Sequence, residues 1–126
     1  GRSCISVCAG PEMHCIGARM ASELLATQGW DSRYLGVHTP TQDVLALCDE
    51  LGADLIIVSA TLDRHLEAVE ALCSVLRAKE SLALCKILVG GGVFDRHPEL
   101  WKSLGAQGHA KSITDCGNLA EVLVPG

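Results

Sequence analysis

The chain reads as one α/β domain built on a parallel sheet with helices on both faces. Three observations predict this class. Short apolar runs alternate with longer segments whose apolar residues recur every three or four positions. One run, DLIIVS at 54–59, is apolar almost without interruption, which marks a central parallel strand buried on both faces. The alternation repeats five times, and successive β-α units place their strands side by side in one parallel sheet.

The elements follow in order. Residues 3–9, SCISVCA, form the first strand. A helix is expected over 16–28, ended by Gly29, and a second strand over 32–36. Thr39 and Pro40 open the next helix, with Thr39 as its N-cap and Pro40 in the first turn, and the sequence LGA closes it. After the central strand at 54–59, a third helix spans 63–79 and presents an acidic, solvated face. The fourth strand, 86–89, runs into Gly90, Gly91 and Gly92. A helix at 97–104, a short strand at 107–110 and a helix at 113–123 complete the chain. Trp30 and Trp101 are expected to pack at helix ends. Five strands wound this way give a flavodoxin-like sheet of order 2-1-3-4-5. Its switch point lies between strands 1 and 3, where such sheets hold their ligands at the carboxyl ends.

At 126 residues the chain is long enough to bury a core as one domain, 1–126. Nearly half of it is hydrophobic and the mean hydropathy is +0.29, which excludes a disordered segment. A net charge of −5 argues against direct nucleic-acid contact. No apolar stretch is long enough to span a membrane, and the first residues, GRSCISV, are no signal peptide. A start directly in a strand points to a domain excised from something longer, and cysteines used as core filler fit a reducing cytoplasm. The seven cysteines include no C-x-x-C pair, and most fall in apolar runs where a thiol acts as a small hydrophobe. Cys4 and Cys8 share a strand face but lie too far apart along it to bond. Cys15 stands apart because it adjoins His14.

The loop after the first strand reads GPEMHCIG, placing Glu12 and His14 ahead of Gly17. It lacks the glycine-rich dinucleotide fingerprint, a Walker lysine and the hydroxyl-rich loop of a flavin phosphate site. A phospho-acceptor receiver would need an acidic cluster at the ends of strands 1 and 3, and strand 3 ends in Ser59, Ala60 and Thr61. A carboxylate two residues from an imidazole is the arrangement that fixes a metal-binding histidine's tautomer. With no second or third ligand nearby, a lone histidine suits a metal that brings its own macrocycle. His38, in the loop after strand 2, lies where it could touch a ligand's edge, whereas His65, His97 and His109 are expected to be solvated.

Glu12-x-His14-x-x-Gly17, then Ser59, then Gly90-Gly91 resembles the signature of the cobalamin-binding domain family, D-x-H-x-x-G, S-x-L and G-G. The intervals, positions 18–58 and 62–89, match as well, so the resemblance spans nearly the whole chain. It implies a base-off cobalamin, adenosylcobalamin or methylcobalamin, with His14 as the lower ligand to cobalt and Glu12 behind it. The nucleotide tail is then expected to thread between strands 1 and 3. Ser59 and Thr61 would line its channel, Gly17 would open room at the first helix, and Gly90 and Gly91 would admit the tail close to the backbone. Two departures matter: Glu12 replaces the usual aspartate, and Thr61 stands where the motif has leucine. Glu12 is similar to the cobalamin-dependent light-sensing regulators, which control transcription through other domains or a protein partner. The resemblance therefore implies a sensory module and not an enzyme. A heme-binding sensor of the same fold, a corrinoid methyl carrier and a mutase cobalamin domain are its alternatives.

Overall fold

The computed structural model describes residues 1–9, 16–36 and 39–126. Glu12, His14, Cys15 and His38 lie outside the described residues. The order of elements is β1 (Ser3–Ala9), α1 (Ile16–Thr27), β2 (Asp31–Gly36), α2 (Thr41–Leu51), β3 (Leu55–Ala60), α3 (Leu66–Ala78), β4 (Lys86–Gly90), α4 (Gly92–Arg96), α5 (Leu100–Ser103), β5 (Gly108–Ala110) and α6 (Ile113–Leu123). The five parallel strands lie in the order β2-β1-β3-β4-β5, as the alternation predicts.

Register decides which side chains face which helices. Pairing runs without a break from Cys4 opposite Leu55 to Ala9 opposite Ala60. Because side chains alternate along each strand, Cys4, Ser6 and Cys8 share one sheet face with Leu55, Ile57 and Ser59. That face meets Ala21 and Leu25 of α1 and Cys116 and Ala120 of α6. On the opposite face Ile5, Val7, Ile56 and Val58 pack against α2, α3 and α4, with Val69, Phe94 and Val44 among the fully buried contributions. Each such aliphatic or aromatic side chain contributes about 1.5–3 kcal/mol on burial, so most of the hydrophobic stabilisation sits on this second face.

Three local expectations are corrected. Thr39 does not cap α2: Pro40 holds the N-cap position with extended backbone, and the Thr39 hydroxyl turns back to donate to the Leu35 carbonyl at 3.1 Å. The third helix opens with a 3-10 turn over Asp63–His65 before α3 proper. The helix read over 97–104 is confined to α5, Leu100–Ser103, and a separate α4, Gly92–Arg96, precedes it where no helix was expected. Pro98 explains the gap between them. Its ring excludes helical backbone at the preceding residue, and His97 takes φ −128° and ψ 70°.

The free cysteines Cys4, Cys48, Cys73 and Cys116 are buried, and Cys85 is half-buried. Burial pushes the Cys4 and Cys73 thiols up to about 11 and that of Cys116 to about 12, so they are packed as neutral hydrophobes. Cys8 is disulfide-bonded. Trp30 is buried just beyond the end of α1, as expected, while Trp101 lies within α5. No helix among the described residues is long and apolar enough to cross a membrane.

Candidate functional site

A cleft of about 250 Å³ opens at the carboxyl ends of β3, β4 and β5, on the face covered by α1 and α6. Small residues make it. Ala18 and Ala21 keep α1 back from the sheet, Gly90 and Ala110 leave the ends of β4 and β5 bare, and Ile57 lies on its floor. Gly17 stands at the cleft's edge in the first turn of α1, and a Cβ added there would meet nothing within 4 Å. Ser59, the last inward-facing side chain of β3 on this face, is 8% exposed and also lines the cleft. Its hydroxyl has no hydrogen-bond partner among the described residues. One register step deeper, the Ser6 hydroxyl is fully buried and likewise without a partner among them.

Gly17, Ser59, Thr61, Gly90 and Gly91, chosen from the sequence, therefore line one cleft. The cleft's position differs from the channel expected between strands 1 and 3. Those strands are joined by an unbroken ladder, and nothing passes between two hydrogen-bonded neighbours. The open space lies instead above the sheet, between its face and the helices α1 and α6.

Gly91 is also required by the fold itself. Its φ of +103° is one that L side chains rarely adopt, and an added Cβ would sit 2.3 Å from the Ala60 carbonyl oxygen. Gly91 is thus required where the β4–α4 turn presses on the end of β3. Arg96, which carries no motif to mark it in the sequence, joins the same two segments. Its guanidinium donates to the Thr61 carbonyl at 2.6 Å and to Asp63 Oδ1 at 2.8 Å. Asp63 Oδ2 lies 3.3 Å from His97 Nε2. Hydrogen bonds from Arg96, then His97, hold the Asp63 carboxyl below its ordinary value. His109 is a further correction: its side chain is only 5% exposed, not solvated.

These features fit one part of a corrinoid. Small-ligand pockets run roughly 300–1,000 Å³, and this cleft falls just short of that range. It is too small for a corrin macrocycle, but its apolar floor and the Ser59 hydroxyl lining it suit an inserted aromatic base with one acceptor nitrogen. The ring would then lie outside, over the carboxyl ends of the strands, on the side where the β1–α1 loop begins. Among the described residues no group of three His, Cys, Asp or Glu side chains could hold a metal ion by itself.

Residues 2–114 match the family described as the B12 binding domain. The chain is 28% identical over 114 residues to a corrinoid protein of Desulfitobacterium hafniense (strain Y51), covering 90% of this chain and 51% of that protein. It is 24% identical, again over 90% of its length and 52% of the relative's, to the dimethylamine corrinoid protein of Methanosarcina barkeri. The chain spans about half the length of these curated relatives. The structure of the Methanosarcina barkeri monomethylamine corrinoid protein superposes with a TM-score of 0.84 at 22% identity, over 97% of this chain and 57% of that one, which shows the shared fold.

Proposed function

The chain belongs to the B12-binding domain family, whose cofactor is cobalamin, and we propose that it holds this cofactor base-off and presents it to a protein partner. The observation that carries the reading is the cleft between the sheet and helices α1 and α6, with Ser59 unpartnered on its wall and Gly17 open at its edge. The tail's base enters this cleft and its edge meets Ser59. His14, two residues beyond Glu12 and three before Gly17, would ligate the cobalt, and Glu12 would orient its imidazole. Bound cobalt supplies the reactive upper face. The chain's own residues hold the cofactor, and a partner or another part of the whole protein supplies what meets that face.

The similarity to a corrinoid protein and a dimethylamine corrinoid protein favours a corrinoid carrier over a light sensor, and this chain is then the cobalamin domain of a longer cytoplasmic protein. The sensory reading has one observation of its own: Glu12 stands where methyl carriers place aspartate. There the same cleft serves a regulator that controls transcription through other domains.

Absorption titration of the wild-type chain and His14→Ala with cobalamin tests the reading. The expected result is a base-off, histidine-ligated spectrum that the substitution abolishes. An unchanged spectrum in the variant would remove His14 from the site, and tight hemin binding with no cobalamin shift would replace the cofactor. Illumination of the adenosylcobalamin complex separates the two roles: a change of assembly state that the dark sample lacks supports the sensor, and an unchanged assembly state supports the carrier.

A further inference from the structure

The cleft is apolar inside and charged at its mouth. Asp95, in α4, and Lys111, between β5 and α6, both line it. The Asp95 side chain is 54% exposed, yet it is not free to swing, because Oδ1 lies 3.2 Å from His109 Nε2. The buried His109 ring is itself set against Phe94, with ring centroids 6.1 Å apart, and Phe94 is fully buried. A fixed phenyl thus orients an imidazole, and the imidazole orients a carboxylate beside the cleft. Lys111 has no ion-pair partner among the described residues. Its backbone N–H donates to Asp115 Oδ2, which anchors the main chain at that point of the rim.

Size dictates what crosses this mouth. If the base lies inside and the macrocycle outside, as the proposed function has it, the linker between them passes the rim. That linker is a ribose and a phosphodiester, one bearing hydroxyl donors and the other a negative charge. We propose that the rim reads this sugar–phosphate neck: Lys111 takes the phosphodiester, and Asp95, held by His109, accepts from a ribose hydroxyl. The inference rests on the reading of the cleft as the tail's site. It adds a consequence, namely that the chain selects complete cobalamins over corrinoids that end before the phosphate. His109 is here a positioning residue, acting through Asp95.

Calorimetric titration of the full chain with aquocobalamin and with aquocobinamide, which keeps the ring but lacks the nucleotide, tests this. Lys111→Gln and Asp95→Asn should each weaken cobalamin about tenfold, the loss of one charge-assisted hydrogen bond, and leave cobinamide unchanged. Lys111→Gln should also flatten the salt dependence of cobalamin binding. His109→Phe should narrow the preference by up to the tenfold of Asp95→Asn, and His109→Gln, which keeps a donor toward Asp95, should leave it at the wild-type size. A preference for cobalamin that keeps its full wild-type size in Lys111→Gln, Asp95→Asn and His109→Phe would overturn the inference alone. Equal wild-type affinity for both corrinoids would remove the tail from the cleft and the inference with it. Binding of neither would sink the proposed function itself.

Discussion

The two faces of the sheet are packed with different side chains. Toward α2, α3 and α4 lie Ile5, Val7, Ile56, Val58, Val69 and Phe94, nearly all fully buried. Toward α1 and α6 the partners are Cys4, Ser6, Ser59, Ala21, Cys116 and Ala120, smaller and in part hydroxylated. Both faces carry a hollow at the carboxyl end. The one over β1 and β3 on the α2–α3 side, about 200 Å³, is walled by Val7, Val44, Val58, Val69 and Leu72, with Thr39 and Thr41 also lining it. The α1–α6 cleft carries hydroxyls too, Ser59 and Thr61, and differs in the charged residues on its rim, Asp95 and Lys111. One face is therefore built for stability, while the other gives up packing and leaves polar groups unsatisfied. The orphaned, buried Ser6 hydroxyl costs about 1–3 kcal/mol.

This division gives predictions that can break it. Ile56→Ala, on the stabilising face, should cost about 2–5 kcal/mol in urea denaturation and, in the folded protein, leave cobalamin affinity unchanged. Ser59→Trp, on the other face, should fill the cleft, destabilise by about 1–3 kcal/mol through overpacking and abolish cobalamin binding. If Ile56→Ala weakened binding as much as Ser59→Trp does, the functional separation of the faces would be lost. Ser6→Ala removes an unsatisfied hydroxyl beneath α1 and should raise stability by about 1 kcal/mol.

The smallest effect concerns the loops at the sheet edge. The Asp63 carboxyl is held below its ordinary 3.8 by Arg96 and then His97. A depressed folded pKa contributes stability that is fully present above the unfolded value and lost as pH falls through the folded one. Thermal unfolding of Asp63→Asn should therefore lie slightly below wild type at neutral pH, and the gap should close in acid below 3.8. Because the pair is exposed, a large gap would mean that Arg96 braces Thr61 far more firmly than a surface contact does.

Much of this was legible before any coordinates. The unbroken run at 54–59 places β3 at the centre, because only a strand buried on both faces needs apolar residues at every position. The motif positions Gly17, Ser59, Thr61, Gly90 and Gly91 mark one site because strand ends of a parallel sheet converge there. The cleft's true location was harder to see. It depends on which face carries Ala18, Ala21 and Cys116, and that follows from helix packing that no local pattern encodes. His109 reads as a loop histidine until Phe94 is folded over it, and Arg96 gains its partners only when the segments after β3 and β4 meet. The break between α4 and α5 was available in Pro98, whose effect on His97 outweighs the helical spacing around it.

Hydrogen–deuterium exchange of the chain with and without cobalamin tests the central claim most directly. The account predicts slowed exchange in the first turns of α1 and α6 and around Ser59 and Gly91, with α2 and α3 unchanged. Protection concentrated at Val44, Val69 and Leu72 would place the ligand on the other face and contradict it.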